Sequence, residues 1–174
     1  MPTRGLGRFR RALLGSVTAK VLHDVNCSVL TSVHDPDAAL ASPHGYHSII
    51  CAVELNPEAD AVLKAAGLLA EAYGARICLL TIGPSIDEQS GLPSAESVRR
   101  AFEKAANADG RKTGTGTTVR VLDAAIPEGI RRTAMEEKAD LVVVGRGHQT
   151  GTLSRMWPHL YAIICESPCP VLSV

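Results

Sequence analysis

From residue 47 onward, short apolar runs alternate with longer stretches whose apolar residues recur at helical spacing. The run His47–Glu54 (HSIICAVE) is too short for a core helix and stops at Asn56-Pro57. Between Glu58 and Tyr73, apolar residues recur at Ala59, Val62, Leu63, Ala66, Leu69, Ala70 and Tyr73. That is one stripe of a helix, and Gly74 closes it. Arg76–Ile82 (RICLLTI) reads as a second buried strand running into the turn pair Gly83-Pro84. Ser94 is placed to cap a helix reaching about Asn107, with Val98, Ala101, Phe102 and Ala105 on its inner face. Gly110–Gly116 is a Gly/Thr loop, Thr117–Leu122 a strand, and Pro127–Lys138 a helix with proline in its first turn. Leu141–Gly145 (LVVVG), a helix near Leu160–Cys165 and a strand Cys169–Val174 complete the series.

Strands that are apolar throughout, rather than at alternate positions, are buried on both faces. Their alternation with helices predicts an α/β fold, a doubly wound five-stranded parallel sheet. In such sheets a ligand sits outside the carboxyl ends of the strands, where strand order reverses. The chain segments there are Glu54-Leu55-Asn56 and Gly145-Arg146-Gly147-His148. His148 is the histidine at that end, able to hydrogen-bond a ligand or titrate near neutrality.

The first 32 residues stand outside this alternation, and an internal repeat accounts for them. Shifted by 142 positions, VLHDVNCSVL (21–30) lies on IICESPCPVL (163–172). Leu22 then matches Ile164, Asp24 matches Glu166, Cys27 matches Cys169, and Val29-Leu30 matches Val171-Leu172; Gly5 falls on Gly147. Residues 1–32 therefore read as an N-terminal helix-strand remnant, the end of a first domain copy. Residues 33–46 read as a linker and residues 47–174 as a complete copy. The strand Cys27–Ser32 has two places to pair, the last strand of its own chain or that of a second chain. Either would cover a sheet edge with free hydrogen-bonding groups.

The segment Gly5-(LGRFRRALL)-Gly15-Ser16, continued by VLHDVNCSVL, resembles the universal stress protein family. The signature of that family is Gly-x-x-Gly, nine residues, then Gly-Ser or Gly-Thr. The resemblance covers residues 47–174 as a whole domain and 1–32 as the tail of another. It implies a Rossmann-like sheet, a role in stress response, ATP or AMP as ligand, and a homodimer paired through the last strand. Carried over by position, the implied nucleotide-binding residues are Glu54, Ile82, Gly145 and Gly147, with His148 beside them. In the N-terminal copy they are Gly5, Gly15 and Ser16. Glycines there let backbone approach phosphate and ribose, and Ser16 opens a helix onto an anion.

Four departures qualify this picture. Pro2 stands where the signature has its first glycine, and Glu54 where the family usually has Asp. Gly145 and Gly147 are one residue apart rather than two. Trp157-Pro158 replaces the expected Gly-Ser, and proline has no N–H to offer a phosphate. The expectation is a regulatory or interaction module with a degenerate nucleotide pocket, meeting a protein partner. The alternative is an ATP- or AMP-binding protein with slow or no hydrolysis.

Composition adds limits. The chain has 174 residues, and its 18 Lys+Arg against 18 Asp+Glu give no general attraction to nucleic acid or an anionic membrane. No apolar run approaches the roughly 18 residues of a membrane span. The Arg-rich start (Arg4, Arg8, Arg10, Arg11) leads into a short apolar stretch interrupted by Lys20 and Asp24, which reads as folded chain. Five cysteines, mostly inside apolar runs, suit free thiols in a reducing, cytoplasmic setting. Cys165-x-x-x-Cys169 lacks the spacing of a metal pair, and His44 and His47 have no acidic or thiol neighbour in sequence. No Ser-His-Asp or Cys-His arrangement is recognisable, so the expectation is not an enzyme.

Overall fold

A computed structural model describes residues 16–32, 45–54, 59–82, 94–107, 116–146 and 157–174. In chain order its elements are α1 (Ser16–Asp24), β1 (Val29–Thr31), β2 (Ser48–Ala52), α2 (Ala59–Tyr73) and β3 (Arg76–Ile82). Next come α3 (Ala95–Asn107), β4 (Thr117–Leu122) and α4 (Ile126–Glu136), then β5 (Leu141–Val144), α5 (Trp157–Glu166) and β6 (Val171–Ser173). Local chemistry explains several boundaries. The Ser97 N–H donates to Ser94 Oγ at 3.1 Å, so Ser94 caps α3. Gly74 takes φ 65° just past α2, and the Ala75 N–H closes back on the Ala70 carbonyl at 2.9 Å. That is the Schellman arrangement, in which a left-handed residue satisfies carbonyls the helix would otherwise leave open.

Strands β2 to β6 form the expected parallel sheet, in the order β6-β5-β2-β3-β4. Alternate strand residues feed opposite layers. Ile50, Leu80, Val142 and Val144 face one core, which also takes in Ile130 of α4 and Ile163 of α5. Ile49, Leu79, Leu141 and Val143 face the other, with Val62 and Leu63 of α2 and Phe102 of α3. Both faces being covered is why these strands are apolar throughout.

The sheet has a sixth strand. β1 pairs antiparallel with β6, setting Val29 opposite Ser173, Leu30 opposite Leu172 and Thr31 opposite Val171. Of the two pairings open to the N-terminal strand, the one within the chain is adopted. β1 therefore lies along the β6 edge of its own chain. Leu22 of α1 reaches the first core and is only 4% exposed.

At the amino end of the sheet, Asp140 accepts the N–H groups of His47 at 2.8 Å and Ser48 at 3.1 Å. His47 Nδ1 lies 3.3 Å from the same carboxylate. Arg76 donates to Ser48 Oγ at 3.1 Å and to the Glu137 carbonyl at 2.7 Å. His47 is therefore part of a network that fastens strand starts, far along the strands from their carboxyl ends. His44 lies outside the described residues.

Candidate functional site

Strand order reverses at β2. From there the chain builds β3 and β4 on one side, and β5 and β6 on the other. The crevice outside the carboxyl ends of β2 and β5 is therefore the switch point where α/β sheets hold ligands. Ala52 and Val144 are register partners, so Glu54 and Gly145 leave the sheet from neighbouring strands. The approach to Glu54 is held firmly. The Val53 N–H donates to the Leu80 carbonyl at 2.9 Å, and Thr81 Oγ1 donates to the Val53 carbonyl at 3.2 Å. Glu54 itself is half-buried.

Gly145 has a packing reason for lacking a side chain. A Cβ there would stand 3.1 Å from Val62 Cγ2, because the chain leaving β5 passes close over α2. Ile82 is a core residue: it is buried, and a Cβ on Gly129 of α4 would fall 2.7 Å from its Cδ1. The bare surface at Gly129 lets α4 settle onto the end of β3. Ser16 is the first residue of α1. Gly5, Gly15, Gly147 and His148 lie outside the described residues. Two of the expected residues, Glu54 and Gly145, are thus brought together at the switch point, with Ile82 one strand further and packed inward.

Arg146 is the residue the motif reading left unassigned. It follows Gly145 directly, and its N–H donates to the Val174 carbonyl at 2.9 Å, tying the loop to the end of β6. The guanidinium is buried, at 3% exposure for the residue. Nη1 donates to the Val25 carbonyl at 2.9 Å and the Leu22 carbonyl at 3.4 Å, and Nη2 donates to the Cys27 carbonyl. These carbonyls lie in the last turn of α1 and just past its end, where the helix dipole is negative, so a cation is stabilised there. The signal in the sequence was slight, an arginine between two glycines just after the most apolar strand.

The buried thiols of Cys51, Cys78 and Cys169 are poor nucleophiles. Burial pushes Cys51 up to about 12 and Cys169 to about 11, and it raises Cys78 as well. Among the described residues, no group of three or more His, Cys, Asp and Glu could hold a metal ion. None of the described helices is long and apolar enough to cross a membrane.

A parallel sheet wound on both faces, with Glu54 and Gly145 at its switch point, defines a Rossmann-like α/β protein. The chain belongs to the universal stress protein family, whose sequence model matches residues 1–32 and 45–174. Among solved structures it is similar to a universal stress protein from Archaeoglobus fulgidus, with 22% identity and a TM-score of 0.69. That match covers 99% of this chain and 60% of the other, so the chain spans less than two thirds of that relative. It is also similar to a universal stress protein solved in complex with cAMP, with 22% identity and a TM-score of 0.55 over 75% of this chain and 97% of the other. UspA from Lactobacillus plantarum is similar at 15% identity and a TM-score of 0.56, over 75% and 98% of the two chains. No curated protein matches the chain.

Proposed function

We propose that this chain is a cytoplasmic regulatory or interaction module of the stress response, with a degenerate nucleotide pocket and protein partners in place of substrates. The observation that carries this reading is Pro158, the second residue of α5. The family signature has Gly-Ser at Trp157-Pro158, opening a helix whose first N–H groups would meet a phosphate. Proline removes one of those donors, and tryptophan brings a Cβ where the signature has none. The loop from Gly145 to Gly147 is also one residue short of the family spacing.

A second reading, binding of ATP or AMP with slow or no hydrolysis, is favoured by Glu54 and Gly145 standing on neighbouring strands at the switch point. The similar protein solved with cAMP makes a nucleotide the natural ligand class to test. Titration of the purified chain with ATP, AMP and cAMP, following heat and Trp157 fluorescence, separates the two. The first reading expects no saturable binding up to millimolar nucleotide. Saturable micromolar binding that changes Trp157 emission would overturn it in favour of the second.

A further inference from the structure

The switch-point loop and the N-terminal helix–strand unit share one side chain. Arg146 has its backbone in the loop that leaves β5 at the crevice, and its guanidinium in the unit formed by residues 16–32. The acceptors there, the carbonyls of Leu22, Val25 and Cys27, are all main chain of that unit, and none is a carboxylate. Nε is buried without a partner. A buried cation keeps its place only while its partners remain, because an uncompensated charge away from water is costly. When the unit leaves, the guanidinium must turn out to water, and the loop that carries it must move as well.

The loop end is held as firmly. The Arg146 N–H donates to the Val174 carbonyl and the Val174 N–H to the Val144 carbonyl, each at 2.9 Å. With an added Cβ at Gly145 standing 3.1 Å from Val62 Cγ2, the loop has little room toward α2. In a close-packed surrounding, a displacement there is passed on to Arg146 rather than absorbed in place. The other end opens more easily. β1 is three residues long and lies at the sheet edge, with β6 as its one neighbour among the described strands. Leu22 is the one buried residue of α1 among the described residues, and Val17 is 74% exposed. Short edge elements with few buried apolar groups open at lower free energy than the core. Residues 16–32 thus form an element with two states, seated and open, and the position of the loop bears on both through Arg146.

We propose that Arg146 couples the crevice to this unit. Whatever shifts the loop after β5 changes how firmly residues 16–32 are seated, and opening of the unit frees the loop in return. Such coupling is reciprocal by thermodynamic linkage. It gives the regulatory reading a moving part, and rests on that reading for its purpose. The coupling itself needs no nucleotide, so the exchange experiment and the nucleotide titration are decided separately.

Residue-resolved amide exchange on the full chain tests it from both ends. All rates are taken relative to the Val53 amide, which is bonded to the Leu80 carbonyl and reports opening of the sheet itself. Leu22→Ala loosens the unit at its core contact and is expected to speed exchange over residues 17–31 about tenfold, and at the amide of position 146 about fivefold. Gly145→Ala presses on the loop and is expected to speed exchange over residues 17–31 about fivefold. Arg146→Lys keeps a cation but loses the fork; alone it is expected to speed residues 17–31 about threefold, leaving protection for a second change to act on. In that background each crossed effect, of the unit on position 146 or of the loop on the unit, is expected to shrink to within about twofold. A crossed effect below about twofold in the parent background, from either variant, would overturn the coupling. Crossed effects as large with Arg146→Lys as without it would overturn it too, because the connection would then run through β6 and not through the guanidinium.

Discussion

The helix–strand unit occurs twice in this chain, as α1–β1 and as α5–β6, and the two copies bury different amounts of the same pattern. Ile163 of α5 is 1% exposed, while its counterpart Val21 of α1 is 39% exposed. Cys169 is buried and Cys27 is exposed. Ile164 and Leu22, by contrast, are both buried. α5 has α4 along one flank and the sheet beneath it. α1 is held at its carboxyl end by Arg146 and by Leu22, with its other face open. An apolar position is buried by the layers that surround it, and one copy has a layer fewer. The hydrophobic pattern records what the unit was built to pack against, and the neighbours decide how much of that packing is realised.

The sharpest way to break this comparison is by thiol labelling. At neutral pH Cys27 is expected to react with a disulfide reagent on the order of 10³-fold faster than Cys169, its buried counterpart. Comparable rates, read by mass spectrometry, would mean the two units are equally open. Burial of neutral thiols also has a pH consequence. Cys51 and Cys169 hold their protons to about 12 and about 11, against an ordinary value of 9.0. Their contribution is complete below the ordinary value and is lost as pH rises toward the folded ones. The urea midpoint is therefore expected to fall between about pH 9 and about pH 11, and a flat profile would contradict it.

Ile163→Ala is expected to cost about 2–5 kcal/mol of unfolding free energy, whereas Val21→Ala stays within about 0.5 kcal/mol. Equal losses in urea denaturation would erase the distinction between the copies. At the switch point, Gly145→Ala presses a methyl against Val62 and is expected to cost about 1 kcal/mol. A neutral result there would show that the β5 exit relaxes away from α2. The smallest effect sharpens the comparison. Thr31→Val and Ser173→Ala each remove one of the two hydroxyl bonds between β1 and β6, and each is expected to cost about 1 kcal/mol. Losses differing by more than about 1 kcal/mol would show that the two hydroxyl bonds are not equivalent in energy.

Most of the sheet was legible because its signals are local. β3 and β4 fall on the expected Arg76–Ile82 and Thr117–Leu122, and Gly74 and Ser94 sit at the helix ends they were expected to mark. The repeat was equally legible, since the boundaries of β1 and β6 differ by the same 142 positions found in the sequence. Of the candidate site, the neighbourhood of Glu54 and Gly145 was legible, because topology brings them to adjacent strand ends. Two side-chain environments had no local signal in the sequence. The packing around Ile82 involves Gly129, 47 positions away. Arg146, left unassigned by the motifs, has partners more than 100 positions earlier.

The sequence by itself determined the fold class, the order of the elements, the switch-point address and the existence of a second helix–strand unit. Each of these follows from hydrophobic period, caps and repetition, which act over a few residues or by counting. Only the tertiary structure decided where that unit goes, which strand edge it closes, and why Arg146 is buried. Those depend on carbonyls and edges that become neighbours after the chain has folded. A hydrogen bond between residues 146 and 25 leaves no periodic trace in either segment.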